Sequence, residues 1–424
     1  MSTTVKKIES NRHRNAGGIF RRAMVICAAA ACLTAACNKE PGDDDEKGDI
    51  VCEVAGKKYA SLDKALEAVA TGQTLRLLAD VESGSIRIYD KNITLDLNGF
   101  TLHVVSFGIY EEAGITVDGG ALALLNPANG ALNVTSLADG VYARDGGSAT
   151  VTNVTTNGGG YCAHAKGANS KVEVIGDAAA TKGSGAYAED GGYVKAGGNI
   201  LVAEGWYGAH AKGANSKVEV TGNVTAPKSH GAYAEKGGYV KVGGNVEGGF
   251  EGAYADGANS KTEITGDVTA RFDGAEASGG GYVKVSGNVT GVGGGAYAYG
   301  ENSKVEVGGD ATCTNNTGAY AKNGGYVKVG GNATGGNCGA EANGGGAKVE
   351  VGGNATSNGI NYKPCGAVAL DGEITVNGVI NITAPADYII VNDVKKAIGA
   401  NEATSSKPGY REYKNATSYV WVKQ

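Results

Sequence analysis

The sequence predicts an all-β fold, a solenoid in which one chain winds through stacked turns of parallel strands. A short tag, Gly-Ala-Tyr-Ala or a close variant, recurs at intervals of 21–27 residues between Gly140 and Gly366. Segments that alternate Val, Tyr and Thr lie between Gly/Asn turns, a pattern typical of short strands. Glycine supplies 72 of 424 residues and proline only 6, which excludes collagen.

The composition also limits the interior and the function. Phe and Trp together number only 7, against 21 Tyr, so small Ala and Val side chains must fill a thin core. Such a core does not suit an ordinary large α/β enzyme. The formal net charge is −6, whereas a nucleic-acid binder needs a basic surface. We therefore expect no nucleic-acid partner.

The first 36 residues predict a secretory signal. Two arginines precede an apolar run at 23–36, which is shorter than the roughly 20 residues that span a bilayer. The run ends in Leu-Thr-Ala-Ala-Cys37, which resembles the lipobox of bacterial lipoproteins, although its Leu stands four residues before the cysteine and not three. The resemblance implies a lipoprotein signal peptide at 1–36 and lipidation of Cys37. The alternative is a plain secretory signal with an incidental cysteine.

Residues 37–49 predict an acidic tether. Asp43-Asp44-Asp45-Glu46 repel one another and keep the segment extended. An acidic stretch after the lipidated cysteine resembles the surface-export signal of lipoproteins from the Bacteroides group. That resemblance implies a location on the bacterial outer membrane and cell surface, with the lipid as membrane anchor; the alternative is a solvated linker.

Residues 50–84 predict a small α/β cap. A strand at 51–54 precedes an amphipathic helix at 61–70, with Ser61 as N-cap and Gly72 as the stop, and a strand follows at 74–81. This order, followed by the alternating segment 93–99, resembles the start of right-handed parallel β-helix domains of the pectate-lyase-like type. In that family the helix caps the open end. The resemblance concerns fold only and implies a single-stranded right-handed parallel β-helix.

Residues 85–385 predict the solenoid itself, with turns of about 22 residues and three strands each. In the turn at 208–226, Ala209, Ala211, Val218 and Val220 should point inward. About 13 turns at about 4.8 Å each give a rod of roughly 60–65 Å. Residues 386–424 lack the repeat and predict a C-terminal cap of strands, including 388–391 and 419–422.

Two outward columns alternate in step on the second strand of each turn. One column runs Lys171, Tyr193, Lys217, Tyr239, Lys261, Tyr282, Lys304, Tyr326, Lys348, and its neighbour runs Glu173, Lys195, Glu219, Lys241, Glu263, Lys284, Glu306, Lys328, Glu350. Like charges stacked at about 4.8 Å would repel, so the alternation favours Glu–Lys pairs and Lys over Tyr rings. This pattern predicts parallel stacking and its register.

A third column of Asn and Asp predicts a ladder at one corner. Its members are Asp177, Asn199, Asn223, Asn245, Asp267, Asn288, Asp310, Asn332 and Asn354. These residues tolerate left-handed backbone angles, and their side chains can bond from turn to turn. The column resembles the asparagine ladder of β-helix corners.

The outward tag residues predict a flat, exposed, mostly aromatic strip that could stack on sugar rings or pack against a partner protein. The candidate binding residues are Tyr142, Tyr187, His210, Tyr233, Tyr254, Tyr297 and Tyr320. The alternative is that stacked tyrosines only stabilise the solenoid. His164 and His210 lie two turns apart with Tyr187 between them, so they cannot share a zinc ion and are expected to be surface substitutions.

No catalytic residue, metal ligand or cofactor is predicted. Carboxylates sit mostly at repeat positions, and Glu276 and Glu341, the acidic tag positions, are three turns apart. Cys338 and Cys365 precede successive tags, and stacking would bring them within disulfide range. We therefore predict a disulfide between them; the alternative is two inward small residues.

The expected function is that of a non-enzymatic, surface-exposed lipoprotein, an adhesin-like or structural β-helix rod and a monomer. Its expected partners are the membrane, through the lipid anchor, and host or microbial glycans or a surface protein. The alternative is a carbohydrate-binding or polysaccharide-degrading β-helix protein.

Overall fold

The computed structural model describes residues 48–108, 113–359, 364–383 and 387–424, and residues 49–424 form one compact unit. They build a right-handed parallel β-helix of about 14 turns, 55% strand and 2% helix. The predicted fold class is confirmed. The predicted signal peptide, Cys37 and most of the acidic tether lie outside the described residues.

Each turn contributes one strand to each of three sheets. In a representative turn, Tyr207–Lys212 belongs to sheet C, Lys217–Val220 to sheet A and Val224–Ala226 to sheet B. Sheet A has 18 strands, sheet B 14 and sheet C 15 in the described part of the chain. The small strand lengths follow from the Gly/Asn corners that interrupt every turn.

The strand bounds follow from this winding. Sheet A runs, in spatial order, through Lys57–Tyr59, Cys52–Val54, Thr74–Leu77, Asn92–Asp96, Ala121–Leu125, Ser148–Val151, Lys171–Val174, Tyr193–Ala196, Lys217–Val220, Tyr239–Val242, Lys261–Ile264, Tyr282–Val285, Lys304–Val307, Tyr326–Val329, Lys348–Val351, Glu373–Val376, Ser418–Lys423 and Tyr410–Asn415. Sheet B runs through Val81–Ser83, Thr101–Ser106, Ala131–Ser136, Asn153–Thr156, Ala178–Ala180, Ile200–Val202, Val224–Ala226, Val246–Gly248, Val268–Ala270, Val289–Gly291, Ala311–Cys313, Ala333–Gly335, Ala355–Ser357 and Ile380–Ile382. Sheet C runs through Ile86–Tyr89, Ile115–Asp118, Val141–Arg144, Tyr161–Lys166, Ser184–Glu189, Tyr207–Lys212, His230–Glu235, Ala253–Asp256, Asp273–Ser278, Gly294–Tyr299, Ala319–Lys322, Cys338–Asn343, Cys365–Leu370, Asp387–Val391 and Val394–Lys396.

The core is a narrow column of Ala and Val. Ala209, Ala211, Val218 and Val220 are all buried, as predicted. Sheet C contributes mainly Ala and sheet A mainly Val, and the resulting apolar cluster is continuous from the N-terminal cap to the C-terminal strands. Full burial of a Val side chain stabilises by about 1.5–3 kcal/mol, so the repetition compensates for small residues.

The Asn/Asp ladder forms at the corner between sheets A and B. From Asp177 to Asn332, the side-chain oxygen of each ladder residue accepts a hydrogen bond from the backbone N–H of the ladder residue one turn later, as Asn223 accepts from Asn245 at 2.7 Å, and Asn354 accepts from Val379. Because only the oxygen is needed, Asp fits at Asp177 and Asp267. The left-handed conformation that Asn and Asp tolerate is not used by the ladder residues; it occurs at the corner between sheets C and A, as at Asn215 with φ 65°.

The outward columns of sheet A pair in the predicted register. Lys217 lies between Tyr193 and Tyr239, with its Nζ 5.4 and 5.6 Å from the ring centroids. The ion pairs differ from the expected turn-to-turn pattern. Lys195 does contact Glu173 of the preceding turn at 2.8 Å, but Glu219, Glu263 and Glu306 each pair with the lysine two residues earlier on the same strand.

Both predicted caps are present. The helix spans Leu62–Ala68 and buries Leu62 and Ala65 against the core, and Gly72 has φ +81°. Ser61 is the N-cap residue, as predicted: its backbone is extended and its carbonyl accepts the first helical hydrogen bond, from Ala65 N–H at 3.3 Å. Its side chain makes no capping hydrogen bond. Strands Thr74–Leu77 and Val81–Ser83 already pair with the solenoid, which helps to explain about 14 turns where the repeat predicts 13.

The C-terminal strands close the other end. Asp387–Val391 and Ser418–Lys423 extend sheets C and A in parallel. Antiparallel strands Val394–Lys396 and Tyr410–Asn415 then cover them, which protects the last edges from pairing with another chain. Within the described residues, no helix has the length and apolarity needed to cross a membrane.

Candidate functional site

The outer face of sheet C carries two parallel columns of side chains. The first, here the tag column, holds the predicted binding residues, and the strand register brings all of them into one file: Tyr142, His164, Tyr187, His210, Tyr233, Tyr254, Glu276, Tyr297, Tyr320, Glu341. The second, here the neighbour column, holds the residue just before each tag: Asp139, Tyr161, Ser184, Tyr207, His230, Glu251, Asp273, Gly294, Thr317, Cys338, Cys365. Most of this column was missed by sequence reasoning, and lengthening the tag by one residue would have found it.

The tag column is packed and not a flat, exposed strip, so that expectation is wrong. From Tyr142 to Tyr254 the rings follow one another at centroid distances of 4.5–5.1 Å. Tyr187 is only 6% exposed and Tyr297 only 4%, and Tyr297 meets Tyr320 edge-on at 75°. Neighbouring rings and the adjoining column cover these faces, so little of them is left for a sugar.

His164 and His210 are likewise buried and not surface substitutions. His164 places Nδ1 2.9 Å from Asp139 Oδ2 and Nε2 3.5 Å from Glu189 Oε1. Burial alone would lower the pKa of His164, but the bonds to these two carboxylates raise it above the usual range. At His210, burial dominates and lowers the pKa to about 3. The pKa values of these two histidines, which lie in the same column, are therefore shifted in opposite directions.

Three carboxylates converge in the middle of the face. Glu251 comes from one turn and Asp273 and Glu276 from the next, and each offers an oxygen within 4.8 Å of the others; we call them the acidic cluster. The expectation that carboxylates stay dispersed is wrong at this place. Glu251 and Asp273 lie in the neighbour column, whose residues do not repeat, so the tag period alone does not show that they meet Glu276.

The acidic cluster has an unusual charge environment. His230 places Nδ1 2.5 Å from Glu251 Oε2, and although burial opposes it, this contact lowers the pKa of Glu251. Burial and the charges of the neighbouring carboxylates raise the pKa values of Asp273 and Glu276. These two groups thus retain a proton to higher pH than isolated carboxyls would. Chemically, the cluster can hold a proton, accept hydrogen bonds or ligate a hard cation.

Exposed aromatic side chains lie at the corner between sheets B and C: Phe250 and Phe272 adjoin the acidic cluster, and Trp206 lies two turns before Phe250. Trp206 is 71% exposed, Phe250 45% and Phe272 54%, and we call these three the aromatic edge. Phe250 and Phe272 stack at 5.7 Å, and His230 stacks on Phe250 at 5.3 Å. Because Glu251 and Asp273 directly follow the two phenylalanines, apolar rings and carboxylates adjoin on one surface.

Cys338 and Cys365 occupy the last positions of the neighbour column. The register places them directly opposite one another, both are buried, and both are free thiols in the structure. The hydrogen bond with Cys338 and burial raise the pKa of Cys365. The disulfide stays a prediction: under oxidising conditions both thiols should resist alkylation until a reductant is added, and equal labelling without reductant would contradict it.

Comparison with known proteins adds no assignment. No protein-family model, curated protein or solved structure matches the chain.

Proposed function

We propose that this protein is a non-catalytic, adhesin-like rod on the bacterial cell surface, held at the outer membrane by a lipid on Cys37 and binding glycans through the aromatic edge. The observation that carries the proposal is the exposed row of Trp206, Phe250 and Phe272 beside carboxylates. Monomeric rods of this kind need no second subunit, because both solenoid ends are capped.

The two faces differ in what they can offer a partner. On sheet A the Tyr, Lys and Glu side chains are engaged with one another turn after turn, as where Lys261 lies between Tyr239 and Tyr282 and pairs with Glu263. The aromatic edge instead projects large apolar surface into solvent. Exposed apolar surface of this kind marks interaction sites more often than engaged side chains do.

Sugar recognition matches this mixture of groups. The apolar face of a sugar ring packs on aromatic carbon, and its hydroxyl groups donate hydrogen bonds to carboxylate oxygens. Phe272 with Asp273 supplies both within two residues, and Phe250 with Glu251 supplies both one turn earlier. The repeat thus presents the same pair of chemistries twice along the rod axis.

The decisive experiment is a glycan array probed with the full chain in detergent and scored for both binding and product release. Trp206→Ala and Phe272→Ala should each weaken binding to any glycan that is found. Tyr326→Ala is the matched control, because it removes an aromatic ring from sheet A. Equal losses in all three variants, or binding that survives the first two, would contradict the assignment of the aromatic edge.

The surface location has its own test. Cys37→Ala should abolish incorporation of a labelled fatty acid and release the protein from the membrane fraction. A variant that is still labelled would place the lipid elsewhere. Fatty-acid labelling that is absent from the unaltered chain would favour the plain secretory signal.

A polysaccharide-degrading activity is the second candidate, favoured by the raised pKa values of Asp273 and Glu276. A proton held on one carboxyl beside an ionised partner suits general acid chemistry. The cluster is tighter than the carboxyl separation of about 5–9.5 Å that glycosidases use, which ranks this candidate second. Product release that disappears in Glu276→Gln but persists in Glu341→Gln would establish it.

A further inference from the structure

We propose that the acidic cluster of Glu251, Asp273 and Glu276 is a calcium-binding site formed between two successive turns of the solenoid. The proposal goes beyond glycan binding, since it concerns an ion held by the rod itself, although Glu251 and Asp273 also belong to the proposed glycan surface. The first observation is that the three carboxylates lie close together. Asp273 and Glu276 belong to one strand, and Glu251 lies at the corner before the strand that pairs with it.

The separations fit a single ion. One oxygen from each carboxylate lies within 4.8 Å of the other two. Calcium binds oxygen ligands at about 2.3–2.6 Å, so two ligands on opposite sides of one ion are about 5 Å apart. All three carboxylates can therefore contact one calcium ion without a change of backbone register, with water completing the coordination.

Tyr297 supplies an independent sign of a missing ligand. Tyr297 is only 4% exposed, and its hydroxyl, which faces the backbone N–H of Thr317, has no acceptor for its own proton among the described residues. The ring Cζ and Asp273 Oδ1 lie 2.5 and 2.3 Å from the place a Cβ on Gly294 would take. The hydroxyl end of the ring is therefore next to the carboxylate. Buried hydroxyls are normally satisfied, and a water bound to the ion would satisfy this one.

The balance of charge points the same way. On sheet A, Glu219 and Glu306 each have a lysine Nζ within 2.9 Å. In the acidic cluster, the base that contacts a carboxylate among the described residues is His230, whose Nδ1 lies 2.5 Å from Glu251 Oε2, so three acids face one imidazole. A divalent cation supplies the missing positive charge where no lysine does.

The donor set selects calcium among common cations. All three donors are carboxylate oxygens, whereas zinc prefers nitrogen and sulfur ligands. Magnesium demands near-ideal octahedral geometry at about 2.0–2.1 Å and gives up its water reluctantly. Three carboxylates on two different turns, half-exposed to water, suit the larger and more adaptable ion.

Terbium emission sensitised by tyrosine tests the site directly in the full chain. Terbium is a luminescent substitute for calcium, and Tyr254, Tyr297 and Tyr299 provide nearby donors. We expect one saturable site whose emission is displaced by calcium and much less by magnesium. Acidic residues far from a tyrosine, such as those of the tether, should contribute little to this signal.

Isosteric variants decide whether these residues hold the ion. Asp273→Asn and Glu276→Gln should each weaken calcium competition by about 10-fold or more, because affinity depends on the number of charged ligands. Glu341→Gln is the matched control: Glu341 also replaces a tag tyrosine but bonds Thr317 at 3.2 Å and lies outside the cluster. It should leave the emission unchanged.

Thermal unfolding gives a second measurement on the same proteins. Calcium should raise the unfolding temperature of the unaltered chain and of Glu341→Gln relative to EDTA, but not that of Asp273→Asn. Absence of saturable emission and of a calcium-dependent shift in the unaltered chain would overturn the proposal. So would emission and shifts that are equal in Asp273→Asn and Glu341→Gln. If a cluster variant fails to fold, Glu251→Gln at the corner loop takes its place.

Discussion

The outer faces of sheets A and C are built on the same turns but differ in kind. On sheet A, Lys and Tyr alternate from Lys171 to Lys348, and the lysines inside this column lie between two rings, as Lys304 does between Tyr282 and Tyr326. On sheet C, aromatic rings give way to carboxylates and then to thiols along the same rod. The neighbour column shows the change most clearly, from Tyr207 through Asp273 to Cys365.

This difference separates scaffold from site. Where side chains repeat, every turn makes the same contacts, and the contacts fix register. Where the outward side chains vary, each turn needs different hydrogen-bond and ion-pair partners, and reactive or charged groups from neighbouring turns can come together. The acidic cluster arose at such a place, so departures from the repeat are the positions to examine for function.

The greatest loss of stability should come from substituting the glycine that begins every tag except the one at Cys162. A Cβ on Gly208 would lie 2.3 Å from Val224 Cγ1 and 2.6 Å from the carbonyl oxygen of Gly231. We expect Gly208→Val to reduce the free energy of unfolding by about 3 kcal/mol, measured by urea unfolding with circular dichroism. Gly159→Val is the control, because a Cβ there meets nothing within 4 Å. Similar losses in both variants would contradict the steric explanation.

The next effect concerns pH and is confined to sheet C. His210 has its pKa lowered to about 3 by burial, so between pH 6.5 and 5 the unfolded chain gains a proton that the folded protein does not. Acidification over this interval should remove about 2 kcal/mol of stability, and His210→Tyr should abolish that loss. The titratable groups near this imidazole are Tyr187, Glu189, Tyr207, Lys212, His230, Tyr233, Glu235 and Lys236.

For His164, in the same column, the expected change of stability with pH has the opposite sign. Its raised pKa means that it stabilises the fold at low pH and loses this contribution as the pH rises through the folded value. His164→Tyr should therefore be more harmful at pH 5 than at pH 8, as measured by urea midpoints. A pH response of the same sign for both histidine variants would contradict the assigned surroundings.

A smaller effect is expected at the Asn/Asp ladder on the corner between sheets A and B. Asn223→Ala leaves the backbone N–H of Asn245 without its 2.7 Å acceptor, which should cost about 1–2 kcal/mol in urea unfolding. Asn223→Asp retains the oxygen and should cost less, as Asp occupies the equivalent place in other turns. Equal losses of stability in Asn223→Asp and Asn223→Ala would contradict this explanation and would mean that the side-chain amide nitrogen of Asn223 is needed.

The smallest effect should come from the charged face of sheet A. Lys261 pairs with Glu263 at 3.0 Å and lies between two tyrosine rings, but it is partly exposed. Lys261→Met should change the free energy of unfolding by about 0–1 kcal/mol, because exposed pairs contribute little. A loss above about 2 kcal/mol would mean that the face sets stability and not only register.

Periodicity explains why so much of the architecture could be predicted. The partners of Lys217 and Glu219 followed from the sequence, because neighbouring turns of equal length place equivalent residues side by side. The choice of ion-pair partner could not be predicted from the sequence: Glu219 pairs with Lys217 of its own strand and not with a lysine of a neighbouring turn. Side-chain torsions, which the repeat does not specify, choose between two partners at similar distance.

The sequence by itself determined the winding of this chain: three strands to a turn, an Ala/Val interior, an asparagine ladder and caps at both ends. These features repeat, and a repeated pattern has only one register that satisfies every turn. The tertiary structure alone decided which outward side chains are covered and which non-repeating groups meet. Burial of Tyr187 and convergence of Glu251 with Asp273 depend on how unlike residues from different turns fill a shared space, and no single turn contains that information.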